Sequence, residues 1–210
     1  MEYVKQVAKE HYSFEKYFTS ARWMSYWYQI KEITKRNDIK TVLDVGPGTT
    51  FLKDTLAIHS LDLGYKSLDI APDLKPDYLG SVTNIPIENS MYDAVCAFEV
   101  LEHIKFKDFE SALLEMSRVS KKYIFISLPH FGPSIEFLFK TPSLKRYKFA
   151  WKIPYHPVHQ FRGEHYWELG KRGYSVSRIR SVLQKHFVVL DEYVPFEHQY
   201  HHFFIMEKKS

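Results

Sequence analysis

The stretch that decides the fold is VLDVGPGTTFL, residues 42–52. It opens with a short apolar, β-branched run that stops at Gly46, as a buried parallel strand does, and a loop with a second glycine follows. Residues 51–60, after the loop, are compatible with a helix. The stretch therefore predicts a strand, a tight glycine loop and a helix, the opening unit of an α/β sheet.

The loop also indicates which ligands fit. A dinucleotide-binding loop has the pattern G-x-G-x-x-G, but here Phe51 stands at the third glycine and Pro47 removes a backbone N–H. Asp44 adds a negative charge at the strand end, where a pyrophosphate would be repelled. These departures disfavour NAD and FAD. They suit a ligand that is cationic near the loop and lacks a pyrophosphate, and S-adenosylmethionine fits that description.

The pattern of strands and helices continues on the carboxyl side of this stretch. Short apolar runs predict further strands at residues 65–70, 92–98, 122–128, 188–194 and 201–207. Helix-compatible segments lie at 51–60, 107–119 and 175–187. The sequence therefore predicts a doubly wound α/β fold with a seven-stranded, mostly parallel sheet, in which a final hairpin makes one strand antiparallel.

Two segments lie outside this alternation. Residues 1–38 carry apolar groups at helical spacing, which predicts an N-terminal helical cover. Arg22, beside Trp23, would suit an anionic acceptor, but we favour a solvated face for it. After Pro129 come four prolines and eight aromatic residues between Phe131 and Arg162, with a short apolar piece, IEFLF, interpreted as helical. We predict a single domain over 1–210 with a lid insertion at 130–165.

The basic charge is concentrated in that insertion. The chain has a formal net charge of +4. Residues 131–162 contain six lysines and arginines against one glutamate, or +5, so the rest of the protein carries −1. A basic, aromatic lid predicts a small acceptor that is anionic, or like a sugar or nucleotide. RNA would also suit cationic and stacking groups, but 32 residues give a small footprint, so RNA ranks second.

Composition excludes several other classes. Cys96 is the only cysteine, so no internal disulfide or thiolate metal cluster can form. The apolar runs are too short to span a bilayer, and the N-terminus lacks a secretory apolar region, so we expect a cytoplasmic protein without a membrane segment. Histidines cluster at 156–159 and 198–202, but no carboxylate-bearing motif accompanies them, and we predict no metal site.

At this point a family resemblance can be stated. LDVGPGT resembles the first motif of the class I S-adenosylmethionine-dependent methyltransferases, and Asp69 ends the second strand where the family carries an acidic residue. The stretch 76–104, which ends in FEVLEHI, is similar to the type 11 branch, as is GEHYWELGKRGYS at 163–175. The likeness covers about residues 40–207.

The resemblance implies a methyltransferase that uses S-adenosylmethionine, and it implies a set of binding residues. Asp44, Gly46 and Gly48 would border the methionyl end, and Glu99 would face it. Asp69 would hold the ribose. Ser81 and Val82 would contact the adenine, and the cofactor site would also include Ile70 and Phe98. Two positions depart from the family, which often has glycine at the position of Thr50 and aspartate at the position of Ser81.

Methyl transfer requires mainly that the donor and acceptor are aligned and that water is excluded. A general base matters only when the acceptor is a poor nucleophile such as a hydroxyl. His130, just after the predicted strand at 122–128, is our preferred base, and Glu99 is the other candidate. His103 is interpreted as capping or packing the following helix. His165 and Trp167 either close the acceptor pocket or pack the insertion against the sheet.

Two functions of other classes stay open. A catalytically silent methyltransferase-like protein could serve as a binding or scaffold subunit. An NAD-dependent oxidoreductase is the more distant alternative, because the glycine loop departs from its pattern at three positions.

Overall fold

The computed structural model describes residues 12–59, 63–141 and 145–209. In these residues a seven-stranded sheet has the order β3-β2-β1-β4-β5-β9-β8. Its strands are β1 (Thr41–Val45), β2 (Gly64–Asp69), β3 (Tyr78–Leu79), β4 (Tyr92–Phe98), β5 (Ser120–Pro129), β8 (Phe187–Tyr193) and β9 (His201–Lys208). The helices are α1 (Phe14–Tyr17), α2 (Ser20–Thr34), α3 (Phe51–His59), α4 (Phe109–Val119) and α5 (Val176–His186). A separate hairpin is formed by β6 (Ser134–Phe139) and β7 (Tyr147–Lys152).

The predicted fold class is confirmed. Strands β1 to β5 pair in parallel, and β9 pairs antiparallel with both β5 and β8, so β9 is the one strand of reversed direction in the described part of this seven-stranded sheet. The predicted helices at 51–60, 107–119 and 175–187 correspond to α3, α4 and α5, although Ser60 lies outside the described residues. The two-residue β3 was not predicted, because a strand that short has no recognisable pattern.

Alternation along the central strands separates two apolar cores. On β5, Ile124 and Ile126 face one core, which α4 and α5 complete, while Tyr123 and Phe125 face the other, beside α2 and α3. Helix α4 buries residues spaced by three or four positions: Phe109, Ala112, Leu113, Met116 and Val119. This is the amphipathic stripe that a helix on a sheet requires. Helices on both faces leave the carboxyl ends of the parallel strands open for a site.

The interpretation of IEFLF as helical is wrong. These residues form β6, in which Ile135, Phe137 and Phe139 pair with Trp151, Phe149 and Tyr147 of β7. Apolar side chains at every second position suit a strand, and the partner strand supplies cross-strand pairs that a helix would not have. The hairpin projects: Phe137 and Phe149 are each 62% exposed. Residues 142–144, between the two strands, lie outside the described part of the chain.

The N-terminal cover is seen in part. Helix α2 packs beside α3, and Tyr26 of α2 bonds to the loop through its hydroxyl, 3.0 Å from Thr49 Oγ1. Residues 1–11 of the predicted cover lie outside the described residues. In the described part of the chain we find no helix suited to span a bilayer; the longest helix, α2, has 15 residues.

Candidate active site

The glycine loop lies between β1 and α3, at the point where the order of successive strands across the sheet reverses. Gly46 and Gly48 both have φ of +65°, in the left-handed region. A Cβ on Gly46 would lie 2.7 Å from Val100 Cγ2, and one on Gly48 would lie 2.7 Å from Tyr12 Cε1. Both positions therefore require glycine, for backbone conformation and for close approach. Strand β1 has β2 on one side and β4 on the other, so the crevice that binds ligands in such sheets opens at this loop.

Two cavities flank the loop. The outer cavity, about 550 Å³, lies beyond β2 and includes Asp69 and Tyr65. The inner cavity, about 220 Å³, lies beyond β4 and includes Asp44, Phe98 and Glu99. Tyr12, Pro47 and Gly48 line both cavities. A single elongated ligand that crosses the loop would touch all of these residues.

The acidic residues at the ends of β1 and β2 are held by hydrogen bonds. Tyr65 donates its hydroxyl to Asp44 Oδ2 at 2.7 Å, and the backbone N–H of Ala71 donates to Asp69 Oδ1 at 2.8 Å. Burial raises the pKa of Asp44 to about 7. A buried carboxylate of this kind favours a cationic ligand group beside it.

Not all predicted cofactor residues line these cavities. Ile70, directly after Asp69, is 36% exposed. Ser81 bonds through its hydroxyl to that of Thr83 at 2.9 Å, and the side chain of Val82 is buried in the core. Ser81 and Val82 lie outside the outer cavity, so their contact with adenine stays a prediction.

Glu99 stands at the end of β4 with φ of +56°, unusual for a residue other than glycine. Its Oε2 lies 3.4 Å from Nε2 of His201 on β9. Burial raises the pKa of Glu99 to about 7, and the nearby Arg22 guanidinium acts in the opposite direction. Arg22, predicted on a solvated face, is a half-buried residue of the inner cavity instead.

A second acid and two histidines join Glu99 in the inner cavity. Glu102 is fully buried, and its burial, followed by the charge of Glu99, raises its pKa well above the usual range. His103 and His165 line the same cavity with ring centroids 5.0 Å apart. His165 thus lies in the cavity, whereas Trp167 is fully buried in the core. Glu102 was missed because VLEH was interpreted as the start of a helix.

His130, the preferred base, lies away from the cavities. Its Nδ1 is 3.0 Å from Nδ1 of His202, and His202 Nε2 is 3.0 Å from Glu192 Oε1. Burial lowers the pKa of His130 to about 3, and the neighbouring His202 adds to this effect. The ring is therefore a weak proton acceptor at neutral pH. Its catalytic role stays a prediction.

A third space, the side cavity of about 700 Å³, is bordered by residues 157–171 of the chain and by Phe131 and Tyr200. It shares Glu164, His165 and Tyr200 with the inner cavity. Of the six basic residues of the insertion, only Arg162 lines it. Lys148 pairs with Glu197, and Lys152 donates to the carbonyl oxygen of His130 at 2.6 Å. Most of the insertion's charge therefore lies on the hairpin or in ion pairs.

A doubly wound sheet of this order, with a glycine loop and acidic residues after β1 and β2, defines the class I methyltransferase fold. Residues 43–125 match the family model described as Methyltransferase domain, in its type 11 branch. The matched segment holds Asp44, Asp69 and Glu99. Over these residues the chain is thus similar to a methyltransferase domain, and S-adenosylmethionine is the methyl donor that this similarity implies.

Solved structures share the fold at low sequence identity. The PH0226 protein of Pyrococcus horikoshii OT3 is 12% identical with a TM-score of 0.58, covering 97% of this chain and 100% of that one. The N-methyltransferase NodS of Bradyrhizobium japonicum WM9, in complex with S-adenosylhomocysteine, is 7% identical with a TM-score of 0.62, covering 98% and 95%. The small RNA methyltransferase HEN1 is 14% identical with a TM-score of 0.63, covering 92% and 26%. No curated protein matches the chain by sequence.

Proposed function

We propose that the protein is a methyltransferase that transfers the methyl group of S-adenosylmethionine to an oxygen or nitrogen of a small acceptor. In this proposal the acceptor binds in the side cavity. One observation carries this proposal: the side cavity and the inner cavity meet at Glu164, His165 and Tyr200. A ligand that reaches from the glycine loop into the inner cavity would therefore end beside the acceptor space. Alignment of this kind is most of what methyl transfer requires.

The residues around the glycine loop fit S-adenosylmethionine, whose sulfonium carries the methyl group that a nucleophile accepts. Gly46 and Gly48 leave room that a Cβ would fill. In this proposal Asp69 accepts from the ribose hydroxyls, with Ile70, Ser81 and Val82 toward the adenine. Asp44, Phe98 and Glu99 border the methionyl end, where Arg22 is placed to pair with a carboxylate.

The side cavity suggests the chemistry of the acceptor. Lys171 pairs with Glu168 at 3.1 Å, whereas Arg162 makes no ion pair with any described carboxylate. Phe131 offers a ring face, already 5.0 Å from Lys171 Nζ. An anionic molecule with a sugar-like or planar part would find one cation and a stacking surface here. Of the two proposed bases, Glu99 lines the inner cavity and His130 does not.

The test measures donor binding and turnover separately. Calorimetry with S-adenosylhomocysteine should show binding to the wild-type protein and at least tenfold weaker binding to Asp69→Ala, because a charge-assisted hydrogen bond contributes about 1.5–3 kcal/mol. Asp73→Asn, on the wall of the same outer cavity, is the matched control. Turnover is then followed with radiolabelled donor on phosphorylated sugars, nucleotides and carboxylic acids.

Absence of binding, together with an unchanged Asp69→Ala variant, would contradict the assignment of these residues. Binding without turnover on any acceptor, together with a stable protein partner in pull-down, would favour the scaffold alternative.

RNA is the second candidate acceptor, favoured by the hairpin of β6 and β7. Phe137, Phe139, Tyr147, Phe149 and Trp151 are more than half exposed and share one face of it. Lys140 directly follows β6, and Lys145 and Arg146 directly precede β7. Exposed rings beside cations suit unpaired bases. Methylation of single-stranded RNA that Phe149→Ala abolishes, with unchanged S-adenosylhomocysteine binding, would favour this candidate over a small molecule.

A further inference from the structure

The inner cavity contains buried carboxylate oxygens that the protein does not satisfy. Glu99 Oε1 and both oxygens of Glu102 have no hydrogen-bond partner among the described residues, although each is buried. Glu102 has no exposed surface at all. Buried polar atoms in folded proteins nearly always have a partner, because desolvation without one is costly. These oxygens line a cavity, so a bound group there would supply what is missing.

Two imidazoles stand beside the same oxygens. Ligand atoms of Glu102, His103 and His165 all lie within 4.8 Å of one another. His103 Nε2 is 4.0 Å from Glu102 Oε1. Around an ion with bonds of about 2.1 Å, neighbouring ligand atoms stand roughly 3–4 Å apart. Shifts of a few tenths of an ångström to about 1 Å would therefore bring the three side chains onto one ion.

Both imidazoles are oriented as metal-binding histidines are. His103 Nδ1 donates to the carbonyl oxygen of Glu164 at 3.2 Å, and His165 Nδ1 donates to Glu168 Oε1 at 3.1 Å. Lys171 holds the other oxygen of Glu168 at 3.1 Å. In a metal-binding histidine, the ring nitrogen that does not contact the ion commonly donates its N–H to a carbonyl or carboxylate oxygen. This hydrogen bond fixes the ring orientation and the tautomer. In both rings Nε2 is then the nitrogen for an ion.

Backbone and indole hydrogen bonds keep the two halves of the cluster together. The N–H of Tyr166 donates to the carbonyl oxygen of Glu102 at 2.8 Å, and Trp167 Nε1 donates to the carbonyl oxygen of Ile104 at 3.1 Å. These two hydrogen bonds hold the irregular segment that carries His165 against the segment of Glu102 and His103.

We propose that Glu102, His103 and His165 bind one divalent transition-metal ion of the manganese or zinc type, with Glu99 beside it. Two imidazoles with a carboxylate favour such ions over magnesium or calcium, which prefer oxygen ligands. The role of the ion rests on the proposed function. At the junction of the inner and side cavities, an open coordination position would hold an oxygen of the acceptor next to the donor's methionyl end.

The alternative cation for these carboxylates is Arg22. It is the one lysine or arginine among the described residues that line the inner cavity. Its guanidinium lies 4.6 Å from the centroid of the Tyr17 ring. Asp44, Glu99 and Glu102 line the same cavity, so one arginine cannot pair with all three carboxyl groups. A metal ion would supply a partner for the buried oxygens of Glu99 and Glu102.

The test uses the full chain, freed of metal with a chelator. Manganese(II) chloride is titrated while the electron paramagnetic resonance signal of the free ion is recorded, and zinc and magnesium chlorides are titrated by calorimetry. We expect one manganese ion per chain and at least tenfold weaker binding of magnesium. Glu102→Gln and His165→Gln should each weaken manganese binding at least tenfold, and Glu168→Gln about 10–100-fold, because it releases the His165 ring.

Glu164→Gln is the matched control, since its exposed side chain lies on the same cavity wall. It should leave manganese binding unchanged. Melting temperature is recorded for every variant; should Glu102→Gln fail to fold, Glu168→Gln carries the test. The inference is overturned if neither manganese nor zinc binds, if magnesium binds as tightly, or if all variants bind alike. Binding of S-adenosylhomocysteine is measured in parallel, so that failure of the metal site is distinguished from failure of the proposed function.

Discussion

Replacing Gly46 with alanine tests whether the loop needs glycine for two separable reasons. With φ of +65°, an alanine there would cost about 1–2 kcal/mol in backbone strain. Its methyl group would also lie 2.7 Å from Val100 Cγ2, and overpacking of this kind costs about 1–3 kcal/mol. Gly46→Ala is therefore expected to lower the free energy of unfolding by roughly 2–5 kcal/mol, a large part of the stability of a typical domain.

Val100→Ala separates the two contributions. It removes both γ carbons, so the added methyl group meets no close atom of that side chain. In a double-mutant cycle by urea unfolding, the pair should be less destabilised than the sum of the single variants, by about 1–3 kcal/mol. Gly64→Ala is the control, since its Cβ would meet Thr41 Cγ2 at an ordinary 3.4 Å. Additivity within about 0.5 kcal/mol would refute the role given to Val100.

Three further predictions concern single residues. Burial raises the pKa of Asp44 to about 7, so in the free protein it is largely protonated at pH 6; a cationic ligand needs the carboxylate. Calorimetric affinity for S-adenosylhomocysteine should therefore fall about tenfold more from pH 8 to pH 6 in the wild type than in Asp44→Asn, and parallel profiles would contradict this. Burial opposes ionisation of Glu192, but hydrogen bonds from His202 and Arg180 overcome it and hold its pKa at about 2, below the ordinary 4.5. Urea unfolding should show that wild type exceeds Glu192→Gln in stability above pH 4.5, with the difference lost as pH falls toward 2; a constant difference would argue against the pairing. Trp167→Phe removes the 3.1 Å bond to the Ile104 carbonyl oxygen in the core and should cost about 1–3 kcal/mol by urea unfolding, whereas an unchanged midpoint would show that the bond does not hold this segment.

The strands of the sheet could be predicted from the sequence because each of them is encoded by a short, continuous stretch of residues. Asp44 to Gly48 combines a strand end with a loop whose two glycines have positive φ, and the later strands are runs of buried side chains with clear ends. The hairpin at 134–152 was not predicted because IEFLF has no local feature that excludes a helix. Its partner strand, which decides the matter, begins at Tyr147.

The candidate site was predictable only where it follows strand ends. Asp44 is the last residue but one of β1, Asp69 is the last residue of β2, and Glu99 directly follows β4, so topology alone brings them to one edge of the sheet. Glu102 and His165 are 63 positions apart, and hydrogen bonds of Tyr166 and Trp167 to the backbone at 102 and 104 join them. Such bonds have no signature in sequence. Arg22 likewise gains its place only because α2 packs against the loop.

The position of charge also changes what the basic composition means. The net charge of +4 derives from the insertion, yet of its six basic residues only Arg162 lines the side cavity, while four acidic residues and one arginine line the inner cavity. Basic groups on an exposed hairpin act over about a Debye length, so they can attract an anionic acceptor, but the contacts that fix its reacting atom belong to the acidic junction. The residues that attract the acceptor are thus distant from the residues that align its reacting atom. An acceptor that suits both would carry its negative charge at some distance from the oxygen or nitrogen that receives the methyl group.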